Sequence, residues 1–316
     1  MNRKLRGIIR TAVALIVLAA VVVFFRAQLV RNWNQIRAFS FHVDYGLLFL
    51  AFVCICVAYL LNTAAWRYGI NLFARRKSFS FTQSIGMVNT TQLTKYIPGK
   101  VWSYALQAAL TDRKDFPVSI VLSVNLFLVI SSVFICLFLG GLYFVFSSLL
   151  LTKLVSILVT AAVLLAYVFF LAFNGSFFAL FTKLCEKLLK RSLSPLRMSA
   201  GQSIRVQLLS LVSSAALGLS ALFCAMGIGF PVNAGLAFAL VAGFLLSDTI
   251  GFLAFFVPGG IGIRESLFYM LLREQGGESI SLIVPIVMRL LSMLVDAALG
   301  ALGVVFLRRY MRGDER

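Results

Sequence analysis

Long apolar runs separated by short basic segments make up most of the chain. About 20 apolar helical residues are enough to cross the hydrocarbon core of a bilayer, and the clearest runs reach or approach that length. They predict six membrane-spanning helices, at 8–25, 45–73, 117–146, 151–173, 203–228 and 280–307.

Two further apolar regions, 79–111 and 232–272, are interrupted by the pairs Pro98-Gly99 and Pro258-Gly259. Proline lacks a backbone donor and glycine tolerates open geometry, so each pair predicts a helix break. Such a break persists in a membrane only where protein or a wet cavity surrounds it. We therefore expect two re-entrant hairpins. Two kinked helices that cross fully, giving eight spans, are the alternative.

The two Pro-Gly pairs lie 160 positions apart in a chain of 316 residues. Each pair has a long span before it and another after it, and the order of spans makes the two regions enter from opposite faces. Equivalent units of opposite orientation indicate an inverted repeat. The predicted fold is an all-α polytopic integral membrane protein with one membrane domain over 1–316. Its half-repeats are expected at about 45–146 and 203–307, with an interfacial or cytoplasmic connector at 174–202.

Composition and charge support a membrane protein. The chain is 61% hydrophobic and 13% charged, with a mean hydropathy of +0.97, which excludes an ordinary soluble fold. A net charge of +18 would indicate nucleic acid in a soluble protein, but here the basic residues flank the spans. With a cytoplasmic N-terminus, nineteen of the 29 Lys and Arg residues flank the spans on the cytoplasmic side and five on the outer side. This predicts a multi-pass protein of the cell (plasma or inner) membrane with both termini cytoplasmic and no nucleic-acid partner.

The first apolar run is open to a second interpretation, because a basic segment followed by apolar residues also resembles a signal peptide. Apolar residues continue beyond Ala19-Ala20 to Phe25, and arginines follow. This continuation favours an uncleaved first helix.

Charged residues within the apolar regions are the candidate chemistry. Each ionised group at mid-depth costs about 2.5–3.5 kcal/mol on insertion scales, so pairing or function is expected. The cations Lys95, Lys100, Arg264 and Arg289 outnumber the acids Asp248, Glu265 and Asp296, and Arg67 is nearby. The surplus predicts a cavity for an anion. Internal pairs remain an alternative for the acids: Arg264 with Asp296, or Arg289 with Asp248 or Glu265.

Uncharged groups extend this candidate site. Gly259 and Gly260 leave backbone amides room to face a phosphate before Arg264. Asn89 and Gln92 suit a headgroup or sugar, although helix packing is the commoner use of such residues. We expect Arg264 and Arg289 to bind a lipid phosphate and Asp296 to orient a basic neighbour such as Arg264. The predicted substrate-binding set is Lys95, Lys100, Arg264, Glu265, Arg289, Asp296, Gly259, Gly260, Asn89 and Gln92.

Catalytic and metal chemistry find little support in the sequence. Its five cysteines show neither a disulfide framework nor zinc-type spacing, and the single histidine, His42, is expected at the outer surface. Catalysis would require a base or a metal cluster. We therefore expect a protein that is not an enzyme and that uses no metal or cofactor.

Two motifs carry a family resemblance: YIPGK at 96–100 and, more specifically, VPGGIGIRE at 257–265. They resemble the paired motifs of the lysylphosphatidylglycerol synthase transmembrane region, also called the flippase-like domain family, and the layout extends over essentially the whole chain. The first motif departs from the pattern. Where the family often has Gly-Glu and a following Arg, this chain has Trp102, Ser103 and Tyr104.

The resemblance implies a membrane domain that moves an anionic or modified lipid, such as a polyprenyl-phosphate-linked sugar, between leaflets. The family's synthases carry a soluble catalytic domain after the membrane part, whereas this chain ends nine residues after Leu307. We therefore expect a stand-alone member whose partners are anionic or phosphate-bearing lipids, with a homo-oligomer left open. A secondary transporter for a small anionic solute stays the alternative, because it would show the same repeat and cationic centre.

Overall fold

The computed structural model describes residues 30, 33–34, 42–73, 78–96, 102–111, 116–147, 150–189, 198–254, 260 and 262–313. The secondary structure in these ranges is helical. The helices are α1 (Tyr45–Asn71), α2 (Phe81–Gln92), α3 (Trp102–Leu110), α4 (Val118–Ser147), α5 (Leu150–Ala172), α6 (Asn174–Leu189), α7 (Ala200–Gly227), α8 (Ala234–Leu253) and α9 (Ile263–Gly313).

Six of these helices, α1, α4, α5, α7, α8 and α9, are long and apolar enough to cross a membrane. The protein is therefore an all-α polytopic membrane protein, as predicted. Helices are confirmed at the predicted spans 45–73, 117–146, 151–173 and 203–228, and the predicted span 280–307 lies within α9. The predicted span 8–25 and both Pro-Gly pairs lie outside the described residues.

Polar side chains define where several helices begin. Asp44 accepts hydrogen bonds from the amides of Gly46 and Leu47 at the start of α1. Ser80 before α2 and Ser199 before α7 each form a capping box with the glutamine three residues later. These contacts satisfy amides that have no partner within the helix.

The first Pro-Gly region folds back on itself. α2 continues into a 3-10 turn, Leu93–Tyr96, and α3 follows after residues 97–101. The Gln107 side-chain amide on α3 donates to the Thr91 hydroxyl on α2 at 3.0 Å, so the two helices lie side by side. We call this pair the first hairpin.

The second Pro-Gly region also folds back, with α8 as one arm and residues 263–276 of α9 as the other. A Cβ atom on Gly251 would lie 2.9 Å from the Arg264 Cβ, and one on Gly243 would lie 3.5 Å from the Leu271 Cβ. We call this pair the second hairpin. Both regions fold back as the re-entrant interpretation expects, whereas two kinked crossing helices would make neither set of contacts.

A break at Gly277 divides α9 into two antiparallel arms, 263–276 and 278–313. Gly277 has φ 77° and ψ −174°, a conformation available essentially only to glycine. The Arg273 side chain pairs with Glu278 at 2.7 Å, and Glu265 lies 3.9 Å from Arg289, so the arms face each other. The turn falls between the predicted region 232–272 and the predicted span 280–307, although the sequence prediction did not single out Gly277.

Helix pairs between the two halves of the chain are antiparallel. For α1 and α7, the Asp44 amide donates to the Gly227 carbonyl, and the Ser213 hydroxyl donates to the Ala58 carbonyl, both at 2.8 Å. Arm 278–313 runs antiparallel to α2, because Leu307 lies against Gly86 and Gly300 lies against Leu93. In the same way α8 runs along α4, where Leu246 lies against Gly140 and Phe238 lies 5.6 Å from Phe146.

The helices in these pairs are related by the repeat, so that each contact between the halves has an equivalent contact with the two halves interchanged. A shift of 160 positions relates α1 to α7, α2 to α8 and α4 to arm 278–313. α2 packs on the counterpart of α4, while α8 packs on α4 itself. Gly140 and Gly300, which are 160 positions apart, both lie at these crossings. The arrangement is that of the inverted repeat, and the half-repeat bounds 45–146 and 203–307, with the connector 174–202, stay a prediction.

Two apolar clusters lie at opposite ends of the bundle. One includes Ile55 and Phe244, and the other includes Trp66, Phe127 and Phe178. The residues between them along α1 and α4 are partly polar and face a cavity.

Candidate functional site

A cavity of about 290 Å³ lies between the ends of the two hairpins. Its polar and charged lining residues are Tyr59, Asn62, Gln92, Lys95, Ser103, Tyr104, Gln107, Asn125, Ser132, Ser213, Ser214, Asp248, Thr249, Arg264, Arg289, Ser292 and Asp296.

The cavity lies at the middle of the spanning helices. Tyr59, Ser132 and Ser213 are each within about one residue of the midpoint of α1, α4 and α7. A polar site at mid-depth between two broken, symmetry-related elements is the usual position of substrate sites in transporters.

Lys95 and Asp296 form an ion pair that joins the two halves. Lys95 lies in the 3-10 turn at the end of the first hairpin, and its Nζ is 2.7 Å from Asp296 Oδ1, near the middle of arm 278–313. The Asp296 side chain is 5% exposed and the Lys95 side chain 31%. The absence of a side chain at Gly300 allows Leu93 to pack closely, which places Lys95 opposite Asp296.

Arg264 and Asp248 form a second pair, within the second hairpin. Arg264 Nη1 lies 2.6 Å from Asp248 Oδ1, and the guanidinium is 4.6 Å from the centre of the Phe244 ring. The pair connects arm 263–276 to α8. The aromatic face provides a further favourable contact for the cation.

Arg289 lines the cavity with a side chain that is 5% exposed, and Glu265 stands behind it. The Glu265 carboxylate accepts a hydrogen bond from the Gly262 amide at 2.7 Å, so it also caps arm 263–276. Negative charge is favourable at this helix end, where the amides of the first turn have no internal partner. Glu265 therefore supports Arg289 without lining the cavity itself.

The ion pairs differ in part from those considered from the sequence. Arg289 is near Glu265, as one alternative had it, but Asp296 contacts Lys95 and not Arg264. The reason is the hairpin geometry. Arg264 faces α8 and its Asp248, whereas Asp296 faces the end of the first hairpin.

The predicted surplus of positive charge is not found among the described residues. Lys95, Arg264 and Arg289 are matched by Asp296, Asp248 and Glu265. Arg67 is not a cavity residue, because its Nε donates to the Phe79 carbonyl at 2.8 Å. Any surplus therefore depends on Lys100, which lies outside the described residues.

The remaining predicted residues divide between the cavity and the packing around it. Gln92 lines the cavity, whereas Asn89 faces α1 and donates to the Thr63 hydroxyl at 3.3 Å. Gly260 has φ 67°, and a Cβ atom there would lie 2.6 Å from the Gly251 carbonyl oxygen, so it shapes the turn of the second hairpin. Gly259 lies outside the described residues.

Several uncharged lining residues were missed from the sequence. Asn62, Ser103, Tyr104, Gln107 and Asn125 all come from the first half of the chain. The signal available was the presence of amide side chains, Gln107 and Asn125, in otherwise apolar helices. Tyr104 stands 160 positions before Arg264, at the place where the first motif departs from the family pattern.

The described residues contain no group of three or more His, Cys, Asp and Glu side chains that could hold a metal ion. Cys54, Cys56, Cys136 and Cys224 are free thiols. The cavity chemistry in the described part of the chain is therefore that of ion pairs, amides and hydroxyl groups.

Residues 8–300 match the family described as the lysylphosphatidylglycerol synthase TM region. The chain belongs to this family. The match covers nearly the whole chain, so both hairpins and the cavity are parts of this lysylphosphatidylglycerol synthase membrane region. No curated protein and no solved structure matches the chain.

Proposed function

We propose that the protein moves an anionic, phosphate-bearing lipid between the two leaflets of the membrane. A modified phospholipid or a polyprenyl-phosphate-linked sugar has the required chemistry. The observation that carries the proposal is the presence of three basic side chains, Lys95, Arg264 and Arg289, around one cavity at the middle of the spanning helices. Membership of a lipid-related membrane family supports it.

The paired charges explain how such a cavity serves a lipid phosphate. A carboxylate beside each cation keeps the cavity near neutrality when no lipid is bound, which limits the cost of buried charge. A phosphate brings oxygens that accept from the same donors, and an arginine can bind two of them at once. The headgroup thereby exchanges water for protein donors halfway across the membrane.

The proposal includes a role in transport and not in catalysis, in the cell membrane, with both termini in the cytoplasm. The distribution of Lys and Arg residues around the spans supports this orientation. The antiparallel order of α1 and α7 supports the same arrangement of spans.

A secondary transporter for a small anionic solute would use the same cations. The two functions differ in what crosses the membrane, so transport assays with the purified protein in liposomes distinguish them. We expect exchange of fluorescent phosphatidylglycerol between leaflets, measured by quenching with an impermeant reductant. Uptake of inorganic phosphate into the same vesicles, without lipid exchange, would favour the solute transporter.

Arg264 provides the decisive variant. Arg264→Ala is expected to reduce exchange to the rate of protein-free liposomes, and Arg264→Lys to lower it, because lysine keeps the charge but loses the planar fork. Arg273→Ala is the matched control, since Arg273 pairs with Glu278 at the Gly277 turn. The double variant Arg264→Gln/Asp248→Asn removes both charges and tests whether the loss is a folding defect. Normal exchange by Arg264→Ala would overturn this assignment.

A further inference from the structure

Five uncharged polar side chains in the cavity lining come from the first half of the chain. They are Asn62 on α1, Gln92 on α2, Ser103 and Tyr104 on α3, and Ser132 on α4. We call them the uncharged wall. All five come from the first half of the chain, whereas Arg264, Arg289 and their carboxylates come from the second half.

The uncharged wall is available for a ligand. In the part of the chain that the structure describes, these five side chains make no hydrogen bond to protein. Ser103 is only 9% exposed, and it is one of the residues that line the cavity. A polar group as buried as that of Ser103 is rarely left without a partner, and the other four, which are half-buried, line the same cavity, so a ligand or ordered water is expected to bind them.

A second layer of hydrogen bonds holds this wall in place. Asn125 on α4 donates to the Gln107 side-chain oxygen on α3 at 2.8 Å, and Gln107 donates to Thr91 on α2 at 3.0 Å. Gln107 is 2% exposed. The three helices that carry most of the wall are therefore fixed relative to one another, and a fixed set of donors and acceptors binds with a smaller loss of conformational freedom.

We propose that the uncharged wall binds the hydroxyl groups of the lipid headgroup, a glycerol or a sugar-like polyol, while the basic side chains hold its phosphate. This inference rests on the proposed function. Amide and hydroxyl side chains both donate and accept, as polyol hydroxyl groups do. A cationic headgroup amine would instead compete with Lys95, Arg264 and Arg289 for their carboxylates.

The size of the cavity fits this division. Its volume of about 290 Å³ is near the lower end of the roughly 300–1,000 Å³ of small-ligand pockets, which suits a phosphate with a small polyol. A site built to bind hydroxyl groups rejects an analogue that lacks them, because its own polar groups are then left unpaired.

The test compares lipids with the same charge and different hydroxyl content. Fluorescent phosphatidylglycerol and phosphatidylinositol carry hydroxyl groups, and phosphatidylmethanol is an anionic phosphodiester without them. In liposomes containing the whole protein, we expect the hydroxylated lipids to exchange at least tenfold faster than phosphatidylmethanol, as losing one or two net hydrogen bonds would produce. The faster of the two hydroxylated lipids distinguishes a glycerol from a ring polyol.

Two variants alter the wall with little change in shape: Ser103→Ala/Tyr104→Phe and Asn62→Leu. Each is expected to lower the exchange ratio of phosphatidylglycerol to phosphatidylmethanol at least threefold. Gln275→Leu is the control, because Gln275 is exposed near the Gly277 turn, and its ratio is expected to equal that of the original protein. Unfolding temperatures in detergent show whether each variant is folded.

The outcomes separate this inference from the proposed function. Equal exchange of all three lipids would overturn the inference alone and leave a water-lined wall. A ratio unchanged in both wall variants would do the same. If no lipid exchanges, the proposed function fails, and lipid binding then tests the uncharged wall. Greater thermal stabilisation by short-chain phosphatidylglycerol than by short-chain phosphatidylmethanol would support polyol binding by the wall. Equal stabilisation by the two lipids would overturn it.

Discussion

The ion pair between Lys95 and Asp296 joins two side chains that differ in burial. The Asp296 carboxylate is almost fully buried, whereas the Lys95 side chain is about one third exposed. Removing a charge deprives its partner of this ion pair, and the cost depends on how deeply that partner is buried. The two single substitutions should therefore differ.

We expect Lys95→Met to destabilise the protein by about 3 kcal/mol, the lower end of the range for breaking a buried ion pair. Asp296→Asn should cost less, because the Lys95 ammonium can move toward water. The double variant Lys95→Met/Asp296→Asn should recover most of the loss. Denaturant unfolding in detergent measures all three, and equal stability of Lys95→Met and the unaltered protein would contradict a stabilising pair.

The charged residues were predictable from sequence, and Glu265 was one of two partners expected for Arg289, but the partners of Lys95 and Arg264 were not predicted. Lys95, Arg264, Arg289 and Asp296 are conspicuous because charge is rare in apolar helices. Which acid each base meets depends on the rotation of α8 and on the turn at Gly277, and neither follows from the spacing of charges along one helix. Asp296 was expected beside a basic neighbour such as Arg264, and the basic neighbour in the structure is Lys95.

At the scale of the helices, glycine residues set how closely the two halves approach. Gly86 on α2 faces the backbone of arm 278–313, where a Cβ atom would lie 2.8 Å from the Leu307 nitrogen. Backbone atoms cannot move aside as a flexible side chain can. A larger residue must therefore push α2 away from the arm and separate Lys95 from Asp296.

Gly86→Ala is expected to destabilise the protein by about 1–3 kcal/mol, the usual cost of overpacking. Gly201→Ala on α7 is the matched control, because no neighbouring atom lies within 4 Å of its Cβ position. Alanine is the better helix former, so this control should be neutral or stabilising by up to about 1 kcal/mol. Thermal unfolding compares them, and equal effects would show that the α2 crossing is not close-packed.

The helices were more predictable than their turns. Length and apolar composition located α1, α4, α5 and α7, since a span requires about 20 apolar residues. The Pro-Gly pairs indicated two breaks because proline interrupts helical hydrogen bonding. The predicted bounds left a turn between 272 and 280 but did not identify Gly277, whose positive φ folds α9 into two arms.

For the whole molecule, the repeat is nearly symmetric in its helices and asymmetric in its chemistry. Moving back by 160 positions from Arg264, Glu265, Arg289 and Asp296 gives Tyr104, Ala105, Val129 and Cys136. The second half therefore carries most of the charge and the first half most of the uncharged polar groups. The cavity between the hairpins therefore combines both kinds of group, and its two halves are not equivalent anion sites.

The fold also predicts which surfaces share a side of the membrane. His42 lies against Gly229, and Gln275 lies near Gly235, so both belong to one end of the bundle. Phe79 lies against Phe116, and Leu307 lies against Gly86, which places Ser78 and Arg309 at the other end. Single cysteines at 42, 275, 78 and 309, in a background with the five native cysteines replaced, test this grouping with an impermeant maleimide.

In intact cells we expect labelling at 42 and 275 and protection at 78 and 309, because the distribution of basic residues predicts that the second end is cytoplasmic. Permeabilised cells should label all four positions, which controls for side chains that are merely inaccessible. Labelling of 78 and 309 alone would reverse the orientation and keep the fold. Different behaviour at 42 and 275 would contradict the second hairpin itself: His42 lies beside Gly229, so a full crossing between Gly229 and position 275 would place 42 and 275 on opposite sides.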